Sequence, residues 1–299
     1  MRKLAIVLLF LGRLASGETV EIIPILTAPE RPVYLHVVLE EIKEASREIL
    51  VMLSDCRRYV QKSPANSLTD ALVEARERGI TVRVIIESDG TPRPDTQRAF
   101  SFLKENGVEV RWDSPETVLH TKLLIIDRMT VIVGSTPWTY NALFGSYQAD
   151  LLIRSRSVAE AFLRLFELVW EGKLEAEERV GEVPPPALIP LPELPRGKLL
   201  HLETALKLIE EAEEEVLLAM YQFRRYPQYP RSPSNLLVEA LLNASARGAR
   251  VRVILEGGEG SPDPDFARES RDIATYLLLH GIKVAFDPPR DTMHAKLLI

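Results

Sequence analysis

Cysteine is almost absent. Cys56 stands alone in 299 residues, which rules out a disulfide framework and any cysteine-based metal cluster. No neighbouring motif marks it as a nucleophile, so it reads as a plain buried thiol. Long apolar runs are missing too. The N-terminal one, Leu4–Leu11, falls far short of the roughly 20 residues that a membrane-spanning helix requires. No later segment has that character, so no stable membrane span is expected. A strong charge of one sign is also lacking. Lys and Arg total 37 against 43 Asp and Glu, a formal charge of −6, which supplies no global basic field of the kind that attracts nucleic acid. No glycine-rich phosphate loop, dinucleotide fingerprint or zinc-spaced cluster occurs. No metal and no cofactor is expected.

What is present describes a soluble globular chain, 46% apolar and 27% charged, long enough for two domains. The opening MRKLAIVLLFLGRLASG has two basic residues, an apolar stretch, and then Ala15, Ser16 and Gly17. That is the layout of a secretory signal over residues 1–17, implying an extracytoplasmic or secreted product, with the cytoplasm as the alternative. The competing reading is a buried first strand or helix, which Arg13 favours.

Six prolines, at 184, 185, 186, 190, 192 and 195, fall in GEVPPPALIPLPELPRG, residues 181–197. They preclude a helix or a sheet interior and predict a semi-extended linker. The segments on either side, 18–180 and 198–299, repeat each other. ALVEARERGITVRVIIE (71–87) aligns without gaps to ALLNASARGARVRVILE (240–256), with ten identities in seventeen positions. NGVEVRWD (106–113) matches HGIKVAFD (280–287), and Arg57-Arg58-Tyr59 is echoed by Arg224-Arg225-Tyr226. A period of about 170 residues is a domain duplication rather than a solenoid.

Each copy predicts the same order of elements. A helix (35–48; 199–214) leads to an apolar strand (49–54; 216–222), then a helix (66–78; 234–247) with an Arg-Gly stop, and then the strand TVRVIIE or RVRVILE. A Pro/Gly loop, a third helix, a third strand and a final apolar strand follow. The fold class is α/β: two duplicated α/β/α-sandwich halves, each with a parallel or mixed sheet covered by helices. Sites on such sheets gather where strands end in loops, which makes the Pro/Gly and Arg-Arg-Tyr loops candidates for the rim of a site.

The final strand carries the chemistry. LHTKLLIIDRMTVIVGS reads His120-x-Lys122, four residues, Asp127, six residues, Gly134-Ser135, and the opening recurs as His294-x-Lys296. In a strand, residues two apart share a face, so each His-Lys pair is expected to project together. An imidazole is a nucleophile or proton carrier near neutral pH, and an ammonium beside it suits an anionic oxygen.

This pattern resembles the signature of the phospholipase D superfamily, His-x-Lys-x4-Asp-x6-Gly-Ser. The resemblance extends over nearly the whole chain after the opening segment. It implies two α/β halves whose His-Lys pairs share one cleft and act on a phosphodiester without a metal. It implies His120 as the nucleophile that forms a phosphohistidine and His294 as the acid/base. Lys122 and Lys296 would clamp the phosphate, Ser135 would add a hydroxyl donor, and Asp127 belongs to the catalytic motif, with a turn-closing role expected of it. Phospholipid and nucleic acid remain open as substrates, including an exported endonuclease. A non-catalytic phosphate-binding or scaffold module is the alternative of another class. The oligomeric state is left open.

Three departures stand out. Pro137 occupies the position where the family carries an asparagine, and proline brings neither an amide side chain nor an N–H. Gln148 stands where the family tends to place the glutamate that orients the histidine; Asp150, two residues on, is expected to share its face. The second copy ends five residues after His294, without its Asp and Gly-Ser, so the sequence reads as a fragment or truncated frame with the second half incomplete.

Overall fold

The computed structural model describes residues 10–13, 19–88, 90, 92–115, 118–173, 199–257, 264–289 and 291–299. The Pro-rich linker and most of the N-terminal signal segment lie outside the described residues; of the latter only Phe10–Arg13 is described, as a strand. The described residues fall into two compact units, up to Lys173 and from Leu199 onward, with 145–147 grouped in the second.

The first unit begins with β1 (Phe10–Arg13), β2 (Thr19–Thr27), α1 (Val33–Glu44) and β3 (Glu48–Leu53). It continues through α2 (Asn66–Glu77), β4 (Thr81–Ile86), α3 (Pro94–Glu105) and β5 (Glu109–Trp112). β6 (Lys122–Ile126), β7 (Thr130–Gly134), α4 (Tyr140–Phe144), β8 (Ser146–Arg154) and α5 (Arg156–Trp170) complete it. The sheet order is β1-β2-β8-β7-β6-β3-β4-β5. β3, β4 and β5 run parallel and the remaining neighbours antiparallel, a mixed sheet.

Strand β3, EILVML, explains the layering. Its side chains alternate between two covered faces, which is why Ile49 to Leu53 is a continuous apolar run. Ile49, Val51 and Leu53 join Val38, Ile42, Leu68, Leu72, Ala99 and Leu103 in one core. Leu50 and Met52 join Ile85, Leu123, Ile125 and Ile153 in another, closed by Val158, Ala159, Leu165 and Phe166 of α5. The first unit is therefore the expected three-layer sandwich.

The second unit has α6 (Leu200–Glu211), β9 (Glu215–Met220), α7 (Pro233–Arg247), β10 (Arg250–Leu255), α8 (Pro264–Leu279), β11 (Lys283–Phe286), β12 (Thr292–Met293) and β13 (Lys296–Leu298). Its sheet order, β11-β10-β9-β13, repeats β5-β4-β3-β6 with the same strand directions. Val216, Leu218, Val253 and Leu255 pack under Leu241, Ala244, Ile273 and Leu277. The opposite face differs. Ile254 and Ile299 are 45% and 68% exposed, whereas their first-unit counterparts Ile85 and Ile125 are buried under α5. Among the described residues the second unit thus has two layers, not the three of a full sandwich.

The duplication extends to side-chain contacts. The Arg78 guanidinium donates to the carbonyl oxygens of Ile42 and Lys43, and that of Arg247 to those of Ile209 and Glu210. The Asn66 side chain brackets the backbone of Tyr59 as Asn235 brackets that of Tyr226. Each Arg-Gly stop ends its helix on a left-handed glycine, Gly79 at φ +89° and Gly248 at φ +103°, a conformation that costs glycine no Cβ clash.

α1 is shorter than the predicted 35–48, and Asp127 is the reason. Its carboxylate accepts from the Ser46 N–H at 2.8 Å, the Ser46 hydroxyl at 2.7 Å, the Arg47 N–H at 2.8 Å and the Glu48 N–H at 3.0 Å. Those amides are taken from helix continuation and turned into β3. The side chain belongs to the β6–β7 turn, where Asp127 and Arg128 are both left-handed.

Candidate functional site

The motif places its residues at two ends of β6. Lys122 opens the strand and Asp127 follows its last residue, about 16 Å away at about 3.3 Å per residue. Asp127, counted with the motif residues by resemblance and expected to close a turn, makes its hydrogen bonds as a latch. It ties the far hairpin to the α1–β3 turn, and its four hydrogen bonds are all spent within the fold. Burial works against its charged form, but the bonds from Glu48, Ser46 and Arg47 outweigh that and hold its pKa below the usual carboxylate range. Its contribution is therefore present above the unfolded pKa near 3.9 and fades as pH falls through the depressed folded value. Asp127→Ala is expected to cost about 2–4 kcal/mol and Asp127→Asn about half that. The gap between wild type and the asparagine variant should close below about pH 4, as urea titrations at stepped pH will read.

The His-Lys pairs also differ from the expected strand geometry. β6 starts at Lys122 and β13 at Lys296, so both histidines precede their strands. Each lysine folds back on its histidine's backbone: Lys122 Nζ donates to the His120 carbonyl oxygen at 2.8 Å, and Lys296 Nζ to that of His294 at 2.8 Å. Lys296 Nζ also stands 3.1 Å from His294 Nε2. The same backbone bond follows each pair, from the Ser54 N–H to the Thr121 carbonyl at 3.0 Å and from the Tyr221 N–H to the Ala295 carbonyl at 3.1 Å.

The surroundings of the two pairs are unlike. His120 is exposed while Lys122 is buried. Burial pushes the Lys122 ammonium down to about 8, against the opposing pull of Asp150 and Asp55. In the second unit Lys296 is exposed and His294 half-buried. The ring of Tyr221 lies 4.7 Å from the His294 ring, and Lys296 Nζ lies 5.1 Å from the Tyr221 ring centre. Tyr221 was not singled out in the sequence. Ser54 holds its repeat position in the first unit, so the aromatic contact belongs to the second alone.

Ser135, Gln148 and Asp150 form one buried cluster. The Ser135 hydroxyl donates to Gln148 Oε1 at 2.7 Å and accepts from the Ala149 N–H at 3.0 Å. Asp150 accepts from the Thr136 N–H at 3.1 Å and from the Thr136 hydroxyl. Burial raises its carboxyl to about 6, opposed by the Thr136 bonds and by Lys122. Gln148 and Asp150, two apart on β8, are both buried and both engage the 134–136 segment. Pro137 sits in the adjoining turn, where the Trp138 N–H donates to the Asp55 carbonyl at 3.0 Å and the Arg57 N–H to the Trp138 carbonyl at 2.9 Å. Cys56 is fully buried beside it, and burial pushes its thiol pKa up.

The duplicated arginine loops are committed within the fold. Arg57 pairs with Asp55 at 2.5 Å, and Arg58 pairs with Asp70 at 2.7 Å and lies 3.5 Å over the Phe102 ring. In the second copy Arg224 pairs with Glu269 and Arg225 stacks on Tyr276. As placed, these arginines brace their loops.

Among the described residues no group of three or more His, Cys, Asp and Glu is arranged to hold a metal, and no helix is long and apolar enough to cross a membrane.

A family model described as "Cardiolipin synthase, PLD-like domain" matches residues 38–170 and 205–299, well over half of the chain. A mitochondrial cardiolipin hydrolase of Xenopus laevis is 30% identical over 133 residues, covering 42% of this chain and 61% of that protein. The chain thus spans less than two thirds of that relative's length. Cardiolipin synthase B of Shigella flexneri is 25% identical over 298 residues, 89% of this chain and 67% of that protein. A solved phosphatidylserine synthase from Haemophilus influenzae Rd KW20 superposes with a TM-score of 0.67 at 14% identity, covering 97% of this chain and 77% of the other. That likeness concerns the fold.

Proposed function

Because the chain belongs to the phospholipase D superfamily, we propose that it is a phosphodiesterase that cleaves phospholipids through two histidines. One observation carries this reading. In each unit a lysine two residues after the histidine reaches back to the same carbonyl oxygen at the same 2.8 Å. The arrangement sets a cationic lysine against the backbone of each motif histidine, a pairing that suits an anionic phosphate oxygen.

In the proposed reaction His120 attacks phosphorus, forming a P–N bond as the P–O bond to the leaving alcohol breaks. His294 supplies the proton to that oxygen. A water then gives its proton to His294 and attacks the phosphohistidine, releasing His120. One imidazole starts neutral and the other protonated, which satisfies both proton transfers. Lys122 and Lys296 stabilise the non-bridging oxygens as charge redistributes. Ser135 reaches the phosphate only by turning its single hydroxyl proton from Gln148 Oε1, where it rests at 2.7 Å, to a phosphate oxygen.

A lipid substrate is favoured over nucleic acid because the matching family model and the relatives reported above carry cardiolipin in their names. The test is hydrolysis of a chromogenic phosphodiester in excess EDTA, followed by cardiolipin vesicles against single-stranded DNA. Turnover in chelator with preference for vesicles supports the reading. Cleavage of DNA alone would move the substrate class to nucleic acid, and silence of the folded chain on all three would favour a phosphate-binding module.

The charge of Lys122 predicts an alkaline limb. As pH rises through about 8 the ammonium loses its proton, the clamp loses a charge, and turnover is expected to fall. Asp150→Asn removes a negative charge that holds that proton on, so the limb should move to lower pH. A limb that stays fixed in pH–rate profiles of the two proteins would detach Lys122 from the phosphate.

A further inference from the structure

Two glutamates that the motif does not contain hold the two motif histidines in place. Glu87 follows β4 and Glu256 follows β10 at matching positions of the repeat. The Glu87 carboxylate accepts the N–H of Leu119, the residue before His120. The Glu256 carboxylate accepts the N–H of Met293, the residue before His294, at 2.6 Å. The frame around each glutamate is duplicated as well. The Glu87 N–H donates to the Leu53 carbonyl at 3.0 Å and the Glu256 N–H to the Met220 carbonyl at 3.4 Å.

A second carboxylate accepts the backbone N–H of the residue after each glutamate. Asp113 Oδ1 accepts the Ser88 N–H at 2.7 Å, and Asp287 Oδ1 accepts the Gly257 N–H at 2.8 Å. Asp287 Oδ2 also takes the Met293 N–H at 3.1 Å. Burial and then the opposition of Glu87, against the Ser88 bonds, raise the Asp113 carboxyl, the electrostatic cost of gathering two acids. A bond from an N–H to an ionised carboxylate is roughly twice as strong as a neutral one. The two acids at each strand end together hold two amides, Leu119 and Ser88 in the first unit and Met293 and Gly257 in the second, of which Leu119 and Met293 adjoin the histidines.

We infer that Glu87 and Glu256 are positioning residues for His120 and His294, acting through the backbone amides of Leu119 and Met293. Each histidine's peptide is pinned before the ring by the glutamate, and after it by the lysine on its carbonyl and the strand bond to Ser54 or Tyr221. The catalytic side of this inference rests on the phosphodiesterase reading. An imidazole that must attack in line tolerates little displacement, and a shift of about 1 Å can cost about 100-fold.

The experiment compares the full chain with Glu87→Ala, Glu87→Gln, Glu256→Ala and Glu256→Gln. It reads kcat and KM on the chromogenic diester and hydrogen exchange at the Leu119 and Met293 amides. The alanine variants are expected to lose about 100-fold in kcat at nearly unchanged KM and to expose the adjoining amide. The glutamine variants keep an acceptor oxygen and should restore amide protection and most of the turnover. An alanine variant with wild-type kcat overturns the inference, as does a glutamine variant as slow as alanine while its amide stays protected. Should alanine prevent folding, Glu87→Asp and Glu256→Asp, which draw the acceptor back by one methylene, carry the same expectation as alanine. A wild-type chain without turnover sinks the phosphodiesterase reading and the catalytic half of the inference. Amide exchange still decides whether the clasp exists.

Discussion

Alanine at His120 or at His294 is expected to remove about 10⁴-fold or more of the turnover, and the double variant should be no slower than the slower single one. In the proposed mechanism the two rings act in one cycle, so removing either leaves the other without a task, and their losses do not add. Neither substitution should alter folding. His120 is exposed and precedes its strand, and both histidine carbonyls, which alanine retains, keep their lysine bonds, although His294→Ala gives up the ring's contacts with Tyr221 and Lys296. The two variants should differ in what they accumulate. Without His120 no P–N bond forms and no phosphorylated chain is recovered. Without His294 the leaving group departs slowly, but the adduct once formed has no base to activate water, so an acid-labile, base-stable phosphoryl group should build up on the protein. Quenching with a labelled diester reads this directly. A labelled adduct on His120→Ala that is missing from His294→Ala would exchange the two roles. Turnover within tenfold of wild type in either variant would end the two-histidine mechanism.

The duplication was legible because it is written in residue identities, and the strand cores because a run such as ILVML (49–53), covered on both faces, leaves no polar position. The histidine-lysine spacing was legible as chemistry, and in the second unit the two side chains do stand together, Lys296 Nζ 3.1 Å from His294 Nε2, but not because both lie in a strand. Two-residue periodicity presumes that the strand has already begun, whereas the lysines here end the loop by bonding the histidine carbonyls. The end of α1 was illegible because it is set 80 residues away, by the Asp127 carboxylate competing for the amides of Ser46, Arg47 and Glu48. Glu87 and Glu256 shared one column of the repeat and could have been noticed there, but a strand-terminal glutamate ordinarily reads as a solvated charge. What it accepts is a backbone N–H, and sequence carries no mark of that. The exposed face of the second sheet was hidden for another reason: Ile254 and Ile299 are as apolar as Ile85 and Ile125, and only the presence of α5 over the latter separates them.

Gly134→Ala is expected to be the most damaging single-atom addition near the site, at about 3 kcal/mol, the upper end of overpacking costs. A Cβ at this glycine would lie 2.3 Å from Asp150 Oδ1, 2.5 Å from Asp150 Cα and 2.6 Å from the Ala149 carbonyl oxygen. The first contact is with a side chain, but that carboxylate is held by Thr136. The other two are backbone atoms of β8, and the Ala149 carbonyl already accepts the Ser135 N–H at 3.1 Å. Relief requires β7 to part from β8 where Gly134 pairs with Asp150, and that movement would pull apart Ser135–Gln148 and Thr136–Asp150 together. Gly79→Ala is the control. Its Cβ would meet nothing within 4 Å, yet its φ of +89° strains any side chain, a cost of about 1–2 kcal/mol. Urea unfolding at constant m should therefore rank Gly134→Ala well below Gly79→Ala in midpoint, and only the former should lose turnover in the fraction that remains folded. Equal midpoints would mean that β8 yields, and the glycine of the motif would then need a reason other than sterics. With the expected order, the Gly-Ser pair divides its work: the glycine lets two strands close to a distance no side chain permits, and that closure brings the Ser135 hydroxyl to Gln148.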